Sequence, residues 1–138
     1  MSSVLGGDVH INKSWLSVRW DDEHRCICAE FKGLANSAEF RTGTMGILDA
    51  IQDRGAESLV SDNRRLDLLS TEDQLWIRDI WTPMAVAAGL RRIALVVAHQ
   101  NLGTYAGKDM VSSFPNGLFV TRTFGTLDQA LPWAGAWR

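Results

Sequence analysis

Cysteine is nearly absent from this chain. Two thiols, Cys26 and Cys28, stand among 138 residues. That is too few for a disulfide framework, and without a second Cys/His cluster it is too few for a structural zinc. No metal and no cofactor is expected. The C-x-C spacing on a strand puts both thiols on one face, which suits a reduced structural pair. A charge of one sign is lacking too. Fourteen Lys and Arg face 16 Asp and Glu, for a net charge of -2, and this excludes the broad basic face of a nucleic-acid binder. Long apolar runs are missing as well. None approaches the ~20 residues that a membrane helix needs, so no membrane span is expected. MSSVLGGDVH at the start has no charged-then-apolar signal pattern, and the expected location is cytoplasmic. No repeat and no low-complexity stretch divides the chain, and one domain over residues 1–138 is expected.

What is present is an ordinary globular balance, 46% hydrophobic and 22% charged, enough to bury a core without staples. The first 11 residues form a flexible arm or a short edge strand. Trp15–Trp20 alternates, with Leu16, Val18 and Trp20 on one side. Arg25–Lys32 alternates again, with Cys26, Cys28 and Glu30 opposite Ile27, Ala29 and Phe31. The turn Asp21–His24 between them predicts an antiparallel hairpin. Asn36 through Arg54 reads as a helix. Glu39 completes a capping box with Asn36, and Phe40, Thr44, Ile47, Leu48 and Ile51 form one stripe. Gly43 and Gly46 cost that helix about 1 kcal/mol each relative to Ala, and the expected return is close packing on a sheet. Gly55 is the stop.

Ser58–Ser61 reads as a short buried strand ending at Asp62. A polar loop with Arg64 and Arg65 follows, and Ser70 caps the next helix, with Asp73 three residues on in the place of a capping-box acid. Leu75, Trp76, Ile77, Ile80, Trp81, Met84, Ala85 and Ala88 form its apolar face. Pro83 removes a hydrogen bond inside this helix, so a disturbance is expected near Asp79–Thr82. Trp76 and Trp81 stand about 140° apart around the helix axis, one toward the sheet and one toward a groove or partner. Ile93–Ala98 is a central strand covered on both faces. Residues 101–116 read as a loop or a short helix around Lys108–Ser113. Leu118–Thr123 is the last strand. Thr126 caps a final helix with Leu127, Ala130, Leu131, Ala134 and Trp137 on its apolar side. This order predicts an α/β fold: a mixed sheet that begins with an antiparallel hairpin and carries helices packed on it.

Three stretches carry a resemblance: EFKGLANSAEF, LVSDNRRLDLLSTEDQLWIRDIWTPMAVAAGLRRIALVV and FVTRTFGTLDQALPWA. Together they cover most of the chain, and they resemble the SpoIIAA-like group of STAS-type domains, also described as STAS/SEC14-like. The resemblance implies a sheet with helices on one side and a regulatory or protein-binding role without established catalytic residues. In the anti-sigma-factor antagonists of that group, a Ser at the start of the helix after the third strand is phosphorylated. Ser70 or Thr71 stands in roughly that place, and Arg64 or Arg65 is placed to receive the phosphate. Here the loop NRRLDLL before the helix is longer than in those antagonists.

Other chemistry is sparse. Asp62, Asp67, Glu72 and Asp73 have no specific catalytic spacing. His10, His24 and His99 share no motif, and His24 is expected to be solvated in its turn. Gly103 and Gly107–Lys108 lack the first half of a phosphate-loop signature. Three functions compete. The first is a non-catalytic STAS-like module that binds a protein partner, with a homodimer as one form. The second is a SEC14-like carrier of a small lipophilic ligand, with Trp76, Trp81, Met84 and Asp62 at its pocket or interface. The third is an enzyme using Asp62, Arg64 or His99. A dry apolar cavity beneath Trp76, Trp81 and Met84 favours the carrier, and an exposed apolar patch favours partner binding.

Overall fold

The alternating N-terminal runs build a three-stranded antiparallel meander. A computed structural model describes residues 8–33, 36–66, 69–100, 102 and 109–136. Strand β1 (Val9–Asn12) pairs with β2 (Leu16–Asp21), and β2 pairs with β3 (Cys26–Phe31). Leu16 lies opposite Phe31, Val18 opposite Ala29 and Trp20 opposite Ile27. This register gathers six apolar side chains on one face, as their period of two requires.

From β3 onward the strands run parallel. Helix α1 (Ser37–Arg54) leads into β4 (Ser58–Asp62), and a second helical run leads into β5 (Arg92–Val96). β6 (Asp109–Phe114) and β7 (Gly117–Phe124) form a hairpin whose second strand lies parallel to β5. The sheet has seven strands in the order β1-β2-β3-β4-β5-β7-β6. Helix α4 (Leu127–Gly135) closes the described chain.

Helix α1 begins as its sequence dictates. The Glu39 N–H donates to Asn36 Oδ1 at 2.8 Å, and Asn36 N–H donates to Glu39 Oε1 at 3.1 Å. It ends at Gly55 in the left-handed region, φ 60°. The second helical run is α2 (Thr71–Trp76), a π-helical turn over Ile77–Trp81, and α3 (Thr82–Ala87). The π turn falls where Pro83 was expected to disturb the helix. Proline has no N–H to offer Asp79, and the ladder adjusts so that the Thr82 N–H reaches back to the Ile77 carbonyl.

Two cores sit on opposite faces of the sheet. On one face Leu16, Val18, Ile27, Phe31, Leu59 and Ile93 pack beneath α1 and α3. On the other face Cys26, Cys28, Val60, Ala94 and Val96 pack beneath Ala130 and Ala134 of α4. The resemblance implied helices on one side, and α4 departs from that. The reason is in the strands: β3, β4 and β5 are apolar at consecutive positions, and a one-sided cover would leave the second set in water.

Residues 109–116 differ from the expected loop or short helix. Asp109–Phe114 is the edge strand β6, joined to β7 by the tight turn Pro115–Asn116. Lys108, Gly103 and Gly107 lie outside the described residues, as do Asp67, Trp137 and the first seven positions. No helix among the described residues is long and apolar enough to cross a membrane.

Candidate functional site

Asp62 ends β4, opposite Glu30 of β3. It is buried, and an unpaired carboxylate there would be costly. Arg64 supplies the partner. Its Nε donates to Asp62 Oδ1 at 2.9 Å and its Nη2 to Oδ2 at 2.7 Å, while its own backbone N–H closes the turn at 3.2 Å. The fork is bidentate. It holds Arg64 firmly protonated, chiefly through the Asp62 hydrogen bond and further through the charges of Asp62 and Glu30. Arg64 is thus turned toward Asp62.

Ser70 caps α2, accepting the Asp73 N–H at 3.1 Å. Ser70, Thr71 and Arg65 are exposed. The reciprocal half of the expected box does not form. The Asp73 carboxylate, buried at 4% exposure, accepts instead from Ser37 Oγ at 2.7 Å and from Arg41 Nε at 3.0 Å, both on α1. The Ser37 hydrogen bond, then those from Arg41 and Ser70, hold its pKa below the usual value for Asp against the opposing effect of burial. The Arg41 guanidinium also lies 5.3 Å from the centre of the Trp76 ring. Asp73, Ser37 and Arg41 together tie the start of α2 to α1, a knot that no local spacing signals.

Beneath this knot lies an apolar cavity of about 110 Å³. Phe31, Phe40, Leu59, Ile77, Trp81 and Leu95 line it, and among the described residues Thr44, Ser61 and Asn63 add polar side chains. Trp81 is buried and donates through Nε1 to the Thr44 carbonyl at 2.6 Å. Trp76 and Met84 were expected over such a cavity. They pack half-buried against the same core but do not line it. Leu75 and Ile80 leave the expected apolar face and stand 42% and 49% exposed.

The histidines occupy separate places. His10 accepts from Arg54 Nε at 3.3 Å, and His99 is exposed. His24 is half-buried rather than solvated. Its backbone N–H donates to Asp21 Oδ1 at 2.9 Å, and its ring Nδ1 lies 3.2 Å from the same oxygen. Burial pushes the Asp21 pKa up, but the two His24 contacts and Arg19 outweigh it and leave it lowered. Cys26 and Cys28 are buried free thiols with Sγ atoms 3.9 Å apart. The Cys28 contact, then burial, pushes the Cys26 thiol far up, so it stays protonated. Among the described residues no group of His, Cys, Asp or Glu is arranged to hold a metal ion.

The open edge of the sheet went unrecognised in the sequence. Among the described residues β6 pairs only with β7, and it bears Met110 and Val111, 59% and 58% exposed, with Leu118 of β7 on the same ribbon at 59%. It carries no Lys, no Pro and no bulge. The opposite edge, β1, is four residues long and bulged between Val9 and Ile11. Comparison with family models, curated proteins and solved structures gives no match to this chain.

Proposed function

We propose that the chain is a non-catalytic STAS-like binding module that pairs the open edge of its sheet with a second copy of itself. The observation that carries this reading is β6. A strand with unpaired N–H and C=O groups along one side is a template for another strand, and natural edges are blunted against that by charge, Pro or bulges. β1 has a bulge, whereas β6 has neither Pro nor bulge, and its single charge, Asp109 at one end, is already paired with Arg122 of β7. Met110, Val111 and Leu118 place apolar side chains on both faces of the ribbon, where a two-fold antiparallel junction would cover them. Mutual neutralisation of Asp62 and Arg64 supports binding over catalysis. A phosphate on Ser70 would have to draw Arg64 away from Asp62, so partner pairing is the reading put first and the phospho-switch second.

The apolar cavity favours one other reading, a small lipophilic ligand. Its 110 Å³ is less than the ~150 Å³ that holds a benzene. A longer chain would enter only if the π-turned helix moved. Sedimentation and native mass spectrometry of protein purified from its source separate the two. A dimer at micromolar concentration that Val111→Lys returns to monomer supports edge pairing. A strict monomer refutes it, and a co-purifying apolar molecule on that monomer turns the assignment to the carrier.

A further inference from the structure

At the opposite end of the parallel strands, residues far apart in sequence enclose a second, polar pocket of about 280 Å³. Arg25 reaches it from the β2–β3 turn, Arg54 from the last turn of α1, and Arg92 from the start of β5, with His24 beside them. The geometry points to a binding site for a phosphoryl dianion, as free phosphate or as the end of a small phosphate monoester.

Three observations carry this. First, the guanidiniums are prearranged. Those of Arg25 and Arg54 lie 5.6 and 5.3 Å from the centre of the Trp20 ring, and Trp20 is itself buried. Cation–π contact of this kind orients the planar forks, and Arg54 is held further by His10 and Asp8. Second, Arg25 is the one described non-glycine residue at positive φ, 53°. A side chain in that region is strained where Gly would not be. Its strain is maintained by the Asp21–His24 contacts of the turn, and it delivers a cation to the pocket mouth. Third, two carboxylates that pair with these cations are in water. Arg92 is 7% exposed, whereas the Glu57 carboxylate 3.7 Å from it is 66% exposed. Arg54 pairs with Asp8, itself 58% exposed. Arg54 and the deeply buried Arg92 thus each meet a solvated carboxylate that an entering anion can displace.

A tetrahedral dianion matches several forked donors at once. The volume equals roughly nine water molecules, more than the five non-hydrogen atoms of phosphate fill, so a short monoester fits.

Thermal unfolding and calorimetry of the whole chain with sodium phosphate, with glycerol 3-phosphate and with sodium chloride at equal ionic strength test this. Saturable stabilisation by either phosphate, absent with chloride, is expected. Tighter binding of glycerol 3-phosphate identifies the monoester, and equal or weaker binding identifies free phosphate. Arg25→Gly removes one fork and relieves the positive φ. It is expected to fold as well as the parent and to weaken phosphate binding at least tenfold. A phosphate response equal to that of chloride, or one unchanged in Arg25→Gly, overturns the assignment.

Discussion

The indole N–H of Trp81 donates to the carbonyl of Thr44 at 2.6 Å, joining the π turn of the second helical run to the middle of α1. This bond fixes the roof of the apolar cavity over β4 and β5. It also explains why Trp81 faces inward while Trp76, before the π turn, packs beside Arg41 at the surface. Trp81→Phe keeps a ring and loses the donor. The lost hydrogen bond contributes about 0.5–1.5 kcal/mol, and the vacated volume adds to the cavity at about 24 cal/mol per Å³. A loss of about 2 kcal/mol is expected, against about 3–5 kcal/mol for Trp81→Ala. Urea unfolding monitored by circular dichroism measures both. Equal losses for the two variants would contradict the bonded role of the indole.

Much of this fold was legible because its signals are local. The capping box of Asn36 and Glu39, the alternation through Leu16–Trp20 and Cys26–Phe31, and the apolar run of β5 each lie within a few residues. Pro83 marked the π turn for the same reason. β6 was missed because Ser112 and Ser113 dilute its alternation, and its pairing with β7 is what makes it a strand. The run Pro115–Asn116–Gly117 was the available signal, a tight turn between two apolar segments. The site was less legible than the fold. Asp73 reads as a cap acid, yet its partners Ser37 and Arg41 lie 36 and 32 residues away. Arg25, Arg54 and Arg92 line one pocket only because the β2–β3 turn, the end of α1 and the start of β5 lie at the same end of the strands.

Gly43 and Gly46 separate two roles that α1 gives to glycine. A Cβ on Gly43 would lie 2.8 Å from both Leu16 Cδ2 and Trp15 Cζ3. Leu16 is fully buried and cannot easily retreat, and Trp15 presents a rigid ring packed half-buried against the same core. A Cβ on Gly46 would lie 2.5 Å from Ile11 Cδ1 alone, the far end of a flexible side chain on the edge strand. Alanine gains about 1 kcal/mol of helix propensity at either site. Gly43→Ala is expected to lose that gain and about 1–3 kcal/mol more through overpacking. Gly46→Ala is expected to change stability by less than about 1 kcal/mol in either direction. Thermal unfolding of the two single variants gives the comparison, and a Gly43→Ala chain as stable as the parent would show that α1 does not rest tightly on β2.

The Asp73 knot makes part of the stability acid-sensitive. Its carboxylate pKa is lowered in the folded chain, first by the Ser37 hydroxyl and then by Arg41. A lowered folded pKa means that the unfolded chain takes up the proton first, so acid favours unfolding. The contribution of Asp73 is therefore fully present above its unfolded value, about 3.9. It is lost as pH falls through the lower folded value. Asp73→Asn removes that titration while keeping the shape. At pH 7 the variant is expected to be less stable than the parent, because Arg41 and Ser37 lose a charged acceptor. Below about pH 4 the gap between the two stability curves should begin to narrow. Urea midpoints of both proteins from pH 3 to pH 7 measure this. A parent–variant gap that stays constant across that range would show that the carboxylate of Asp73 is not what ties α2 to α1.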